Sequence, residues 1–324
     1  MTKRIALLIF LGCLIGPTIV RAQSYPSKQV TIYVTAAAGG VTDVVARAVG
    51  QRLSEMWDQP VVIENKGGAA HILGAQAVAK AAPDGYTLLV AEAGTFVLNP
   101  SLYAKDKLGY DVEKDLAPIT GLVRINQALI ASNELPASNV PELLALAKQK
   151  PGQITYGTAG VGSAPHMNIL KLEHMTNVKL QPVHYRGAAP ALNDVIAGHI
   201  NLMSISISLV VQPAEAKKLK VLGVGSPARV PQLPDSPTVG ESVPGYEAPT
   251  WFGLATTGGT PRDIVLKINT DVKKILDDPA FRAKFMAPQM FEPITSSPEE
   301  FATYMKSQTQ SWATIVRERG ISIQ

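Results

Sequence analysis

From Gln29 onward, short β-rich runs alternate with stretches of helical periodicity, and that alternation constrains the fold more than anything else in the chain. Candidate strands fall at 29–35, 60–64, 86–91, 154–157, 180–185, 200–204 and 219–224. Between them, Val45, Ala48, Val49, Leu53 and Met56 recur at helical spacing, as do Leu143, Leu144 and Ala147 after the start signal Ser138-Asn139-Val140-Pro141. Parallel neighbours need a crossover long enough to hold a helix, so the pattern predicts an α/β protein with mainly parallel sheet. The C-terminal part reads as helical. Thr260-Pro261 opens one helix, with Ile264, Val265, Ile268, Val272 and Ile275 on its inner side. Ser297-Pro298-Glu299-Glu300 is a capping box opening another, whose inner stripe is Phe301, Tyr304, Met305, Trp312 and Ile315 and whose stop is Gly320.

Two longer β-prone stretches, 116–132 and 250–257, interrupt the alternation. Side by side, they would carry the chain from one domain to another and back. The first domain is then discontinuous, 23–125 with 248–324, and the second is 126–247. Such a pair of crossover strands suits closure about a hinge. A chain of 324 residues that is 46% hydrophobic and 17% charged has enough apolar material for two cores. Trp251 and Phe252, on the return crossover, read as packing residues.

The first 22 residues read as an export signal: Lys3 and Arg4, an apolar run from Ile5 to Val20, and small residues before a cleavage expected after Ala22. The one cysteine, Cys13, lies inside it, so the mature chain is expected to have no disulfide and no cysteine ligand. Losing Lys3, Arg4 and Arg21 takes the formal net charge from +4 to about +1. That balance, without a basic stripe interleaved with aromatics, argues against a nucleic-acid partner.

Three glycine-containing turns feed helices: "TAAAGGVTDVVAR" (35–47), "ENKGGAAHILGA" (64–75) and "YGTAGVGSAPH" (156–166). Small residues there let backbone N–H groups approach a ligand, and the helix start beyond adds unpaired donors with partial positive charge, so an anion such as a carboxylate is the natural guest. None ends in a phosphate-loop Lys-Ser/Thr, and none is G-x-G-x-x-G, which disfavours a nucleotide cofactor. Asp43 reads as helix-start support beside Thr42, with Arg47 one turn on as its partner. His71 and His166 each sit in a glycine turn, where donation to a carboxylate, capping and solvent exposure are all open readings. The five histidines lack metal-ligand spacing. Ser163 lacks the second glycine of a nucleophile elbow and reads as an N-cap and carboxylate-binding hydroxyl, so neither metal nor enzymatic chemistry is expected. Tyr185, Gly187 and the intervening Arg186 offer one further lip.

The ordered motifs "YPSKQVTIYV…AGGVTDVVAR", "QPVVIENKGGAAHILGAQAVAKAAPDGYTLLV", "NPSLY", "DLAPIT", "YGTAGVGSAPH", "VHYRGAAPALNDVIAGHINLM", "LPDSPTVGESVPGYE" and "WFGLATTGGTP" resemble the Bug family of periplasmic solute receptors, which serve tripartite tricarboxylate transporters. The resemblance covers essentially the whole mature chain. It implies a two-domain, type II Venus-flytrap periplasmic binding protein, monomeric and without cofactor, with two crossover strands as hinge, closing on a small carboxylate for delivery to membrane transporter subunits. The same cleft would also serve a ligand-sensing receptor, and a hydrolase on this architecture is the alternative of another class. Carried over position by position, the ligand carboxylate would be held at Ala37, Ala38, Gly39 and Gly40 on one side and at Thr158, Ala159, Gly160, Ser163 and His166 on the other. Two departures bear on specificity. Thr35-Ala36 replaces a bulkier Pro-Phe or Pro-Tyr, which implies a wider pocket. Ile205 stands where relatives commonly carry an Asp able to receive an ammonium group. The resemblance therefore implies a dicarboxylate, hydroxy acid or aromatic acid rather than an amino acid.

Overall fold

The structure is a computed structural model that describes residues 25–36, 38–67, 72–160, 162–185 and 187–318. The export signal expected over 1–22, together with Ala37, His71, Arg186 and the helix stop at Gly320, lies outside the described residues.

Two mixed sheets organise the chain. The first contains β1 (Val30–Val34), β2 (Val61–Asn65), β3 (Thr87–Glu92), β4 (Leu116–Ile125), β10 (Thr250–Thr257) and β11 (Phe291–Pro293), ordered β11-β4-β10-β3-β1-β2. The second contains β5 (Gln127–Ala131), β6 (Thr155–Thr158), β7 (Gln181–His184), β8 (Leu202–Ser206) and β9 (Lys220–Val224), ordered β7-β6-β8-β5-β9. All seven short strands expected from the alternation are present. In each sheet one interior strand runs antiparallel to both neighbours, β10 between β3 and β4 and β5 between β8 and β9, and the edge strand β11 is also antiparallel to β4. The two interior strands are those that the chain delivers on arriving from the other sheet.

Helices cover both faces of the first sheet. On one face α1 (Val41–Trp57) and α6 (Arg262–Asp277) pack on Ile32, Leu88, Val90 and Leu254. On the other, α2 (Ile72–Ala79) and α7 (Pro298–Glu318) pack on Leu89, Ala91 and Ala255. Successive residues of β3 thus serve opposite cores, which is why its sequence reads as a continuous apolar run rather than an alternation. In the second sheet α3 (Val140–Gln149) and α4 (Ala164–Thr176) lie on Leu129, Tyr156, Leu202 and Leu222, while α5 (Ala188–Ile196) covers Ala128, Ile130, Met203 and Ile205.

The helix starts read from sequence are in place. Asn139 caps α3 by accepting from the Glu142 N–H at 2.9 Å. The Ser297/Glu300 box opens α7, with both reciprocal hydrogen bonds made. Trp251 is 2% exposed, stacked on Phe96 at 5.9 Å with Phe301 edge-on, and Phe252 lies in the opposite core, so both are packing residues. Tyr304 departs from the expected inner stripe. Its ring tilts against Trp251 at 5.5 Å, yet the residue is 37% exposed because it lies at the rim of that aromatic cluster.

The expected side-by-side pairing is made by β4 and β10, antiparallel from Thr250↔Ile125 to Thr257↔Leu116. The stretch 116–132 is not one strand, however. It breaks at Asn126, the single residue between β4 in one sheet and β5 in the other. The return crossing lies beside the first, because Gly225 N–H donates to Gln127 O at 2.7 Å and Ala248 N–H donates to Gly225 O at 2.8 Å. Glu292 on β11 fastens the outbound crossing. One carboxylate oxygen accepts from Arg124 Nε at 2.6 Å and the other from Asn126 Nδ2 at 2.5 Å. Arg124 and Glu292 are partly exposed, so their ion pair contributes little. The amide of Asn126, 5% exposed, matters more. Glu292→Ala should therefore cost about 1–2 kcal/mol in urea unfolding, mostly from stranding that amide. An unchanged urea midpoint would show that the clamp does not hold the crossing.

Candidate functional site

Strands β1, β2 and β3 are parallel and in register, so the loops that follow them gather along one sheet edge. The same holds for β6 and β7, whose last residues, Thr158 and His184, are register partners, and for β8, which is parallel to β6. In open α/β sheets the crevice outside these carboxyl ends is where ligands bind. Here the two edges meet. A narrow cavity of about 80 Å³ is lined by Glu92 at the end of β3 and Gly94 after it, by Gly162, Ala164 and Asn168 at the start of α4, and by Trp251 from the return crossover. Another cavity, about 640 Å³, lies between 105–118 and α7 and includes no residue of the glycine turns.

The first turn is built around Asp43, a residue 3% exposed. Its Oδ2 accepts from the Gly39 N–H and from Arg47 Nε, each at 2.9 Å, and its Oδ1 accepts from Asn65 Nδ2 at 2.9 Å. The same Asn65 amide also donates to Ala36 O at 3.1 Å, so β2 and α1 jointly hold the turn. Burial pushes the Asp43 pKa up, but the hydrogen bonds from Arg47, Gly39 and Asn65 outweigh it and hold the carboxyl below its usual range. Asp43 is thus the post of the turn, as its place at a helix start suggested. Gly39, at φ 82°, adopts the left-handed backbone that favours glycine. Ala38 and Gly39 are exposed, and Gly40 is the N-cap residue of α1.

The second turn has the same economy. Gly160 N–H donates to Thr158 Oγ1 at 3.2 Å, and Gly162 N–H donates to His166 Nδ1 at 3.1 Å. Ser163 starts α4, but its hydroxyl donates to Gly160 O at 2.7 Å instead of capping the helix. His166 is 5% exposed, stacked on Tyr156 at 6.3 Å, with His184 edge-on at 5.1 Å. Burial, and then the neighbouring His184, bring its pKa down to about 4, so the ring is neutral near pH 7. Because its Nδ1 accepts a hydrogen bond, its proton is assigned to Nε2. Ala159 is half-buried.

Several sequence expectations change at this level. The turns were expected to aim glycine amides at a ligand, but Gly39, Gly160 and Gly162 donate to Asp43, Thr158 and His166 instead. An N–H without a partner is costly, and each loop contains a side chain able to take it. Tyr185 also turns away, its phenol donating to Asp194 on α5 at 2.5 Å, while Gly187, at φ 120°, has open space where a side chain would stand. Ile205, 2% exposed, is in the core under α5 and pairs with Ala128 across β5. It offers the cleft no group. His184 was not singled out from the sequence. The available signal was its position at the end of a predicted strand, directly before the Tyr185-Arg186-Gly187 lip.

What the turns do present is helix starts. Helices α1, α4 and α5 begin at Gly40, Ser163 and Gly187 without a side-chain cap, whereas α3 and α7 carry one. Helix α6, which begins after Pro261, is uncapped too, so the absence of a cap alone is not diagnostic. The distinction is that α1, α4 and α5 all start at the carboxyl edges of the sheets, where their first-turn N–H groups and partial positive charge suit an anion. Among the described residues no group of three His, Cys, Asp or Glu is placed to hold a metal ion.

The model of the tripartite tricarboxylate transporter family receptor matches residues 45–321. The chain belongs to that receptor family. Solved structures of similar proteins cover most of it. Rpa4515 of R. palustris with adipate is 32% identical, covers 92% of this chain and 100% of its own, and has a TM-score of 0.79. The periplasmic binding protein BugD is 34% identical over 92% of this chain and 100% of its own, with a TM-score of 0.76. MatC (Rpa3494) from Rhodopseudomonas palustris with bound malate is 30% identical over 90% of this chain and 100% of its own, also with a TM-score of 0.76. The receptor family and its α/β architecture are those implied by the motifs. Among the described residues no helix is long and apolar enough to cross a membrane.

Asp43→Ala would leave Gly39 N–H, Arg47 and Asn65 without their acceptor, at a cost of about 2 kcal/mol in thermal unfolding at pH 7. A depressed carboxylate stabilises above its unfolded pKa, about 3.9, and its contribution disappears as pH falls through the folded value. The gap between wild type and Asp43→Ala should therefore narrow on acidification to pH 3. A constant gap would mean that the Asp43 charge does not support the turn.

Proposed function

We propose that this receptor captures a small organic carboxylate between the carboxyl edges of its two sheets and delivers it to the membrane subunits of a tripartite transporter. The observation that carries the reading is the gathering of the uncapped starts of α1, α4 and α5 at those edges, with the end of β3 and the start of α4 lining one cavity. The carboxylates in the Rpa4515 and MatC structures support the same ligand class.

In this proposal a domain of 23–125 and 248–324 closes on a domain of 126–247. The division is supported by the change of sheet at Asn126 and by the return crossing held beside it. Ligand favours the closed state by the contacts that it makes only there, and no covalent step is involved. The ligand's carboxylate lies against Ala37, Ala38, Gly39 and Gly40 on one lip and Thr158, Ala159, Gly160, Ser163 and His166 on the other, with His71 and Gly187 flanking. Because Gly39, Gly160 and Gly162 already donate within the protein, the helix starts and side-chain donors make the direct contacts. The receptor acts outside the cytoplasm as a monomer, exported by residues 1–22 with cleavage after Ala22. Ile205 lies in the core, which favours a dicarboxylate, hydroxy acid or aromatic acid over an amino acid.

A thermal-shift screen of residues 23–324 against adipate, malate, succinate, benzoate, aspartate and glutamate tests this. At a hundredfold excess over Kd, a true ligand stabilises by about 2.7 kcal/mol. Stabilisation by aspartate or glutamate alone would overturn the ligand class. Stabilisation by none would overturn carboxylate capture.

A further inference from the structure

We infer that His184 is a ligand-contacting residue of the second lip, a neutral imidazole that donates from Nε2 to the carboxylate. The inference rests on the receptor reading above and adds to it a residue and a protonation state.

The strand register sets up the arrangement. Thr158 and His184 are the last residues of β6 and β7 and are direct partners, so their side chains lie on the same face of the sheet at its carboxyl edge. Thr158 Oγ1 lies 2.8 Å from His184 Nδ1 and also accepts the Gly160 N–H at 3.2 Å. Thr158 is fully buried, and among the described residues His184 Nδ1 is the acceptor within reach of its hydroxyl. The hydroxyl therefore donates to Nδ1, which assigns the His184 proton to Nε2. One chain of hydrogen bonds runs from the Gly160 amide through the Thr158 hydroxyl to the imidazole, tying ring and glycine turn into one unit.

That leaves Nε2–H as the polar group His184 has to offer, and the residue is exposed although its partner Thr158 is not. The neutral form is favoured because protonation at Nδ1 would deprive the Thr158 hydroxyl of its acceptor. The ring is packed edge to face with that of His166 at 5.1 Å. Burial lowers the His184 pKa in the same direction. A carboxylate brought to the Gly160 turn would thus meet an uncharged donor whose orientation Thr158 and His166 have already set. Preorganisation of this kind avoids the entropy of ordering a long cationic side chain.

The test uses wild type, His184→Leu and His184→Gln, with calorimetric titration of whichever acid from the screen binds wild type. His184→Leu should weaken binding about 10- to 100-fold and, because it leaves the buried Thr158 hydroxyl without its acceptor, lower Tm by a few degrees with the ligand-free protein still folded. A tenfold loss is about 1.4 kcal/mol. His184→Gln, which keeps an N–H donor at comparable reach, should recover most of the loss. Nitrogen NMR of the imidazoles should report the Nε2–H form in the free protein, and ligand should shift the His184 Nε2 resonance. Wild-type binding with an unchanged Kd in His184→Leu, or a ligand-insensitive Nε2 resonance, overturns this inference and leaves the receptor reading standing. Failure of wild type to bind any of the acids overturns both.

Discussion

Only one residue, Asn126, separates a strand of the first sheet from a strand of the second, and the rest of the receptor follows from that short crossing. With no slack between β4 and β5, the two sheets meet at the crossing, and the return segment is drawn in beside it by Gly225 and Ala248. Each arriving strand must enter its new sheet against the prevailing direction, which accounts for antiparallel β10 between β3 and β4 and antiparallel β5 between β8 and β9. The parallel strands of both sheets then end where the sheets meet. On the proposed reading, the two crossings, held together by a few hydrogen bonds, are the joint about which the domains close, and each core lies on the faces of its own sheet.

The turns along these edges are satisfied before any ligand arrives. Asp43 takes the Gly39 amide, Thr158 takes that of Gly160, and His166 takes that of Gly162. Leaving the half-buried Gly160 and Gly162 donors unpaired would destabilise the ligand-free receptor, by up to about 1–3 kcal/mol each where water is kept out. The loops avoid this with side chains of their own. What a ligand can gain is then confined to the starts of α1, α4 and α5 and to donors such as the His184 imidazole. Those groups lie on different sheets, so contacts to all of them need the edges brought together. On the proposed reading, the contacts that a ligand makes only when the edges come together are what favour the closed state.

Much of this was legible in the chain. Strands β1, β2, β3, β6, β7, β8 and β9 show as short apolar runs, and the starts of α3 and α7 show in their capping residues, because both signals are local. The β4/β10 pairing was readable because its stretches broke the alternation. The expected boundary at 125/126 coincides with the change of sheet, but the division of 116–132 into two strands was not read, since the β-prone stretch resumes directly after the polar pair Asn126-Gln127. Hydrogen-bond direction within the turns was not legible either. A glycine-rich loop looks the same whether its amides face a ligand or a neighbouring side chain, and Asn65, which holds the other oxygen of Asp43, comes from another strand. His184 escaped notice for a related reason: its significance lies in being opposite Thr158, a relation between strands rather than within one.

Ile205 shows how far a single position constrains the ligand. The resemblance placed it where relatives offer a carboxylate, and the structure shows why its apolar side chain stays out of the cleft: along β8, Met203 and Ile205 point to the α5 face while Ser204 points to α4, where Asn168 bonds it. An Asp at 205 would therefore be buried beneath α5 with Val195 and Ala191 nearby, unless β8 shifted, and an isolated buried carboxylate is strongly disfavoured. The substitution is consistent with its surroundings rather than a lone loss. With no acid at 205 and neutral histidines at the second lip, the hydrogen-bond donors and helix starts there suit a carboxylate. The acids of the cavity wall are Glu92 and Glu247, so on the proposed reading an ammonium group would have to be met there rather than at 205, and the preference for a bare carboxylate rests on the second lip.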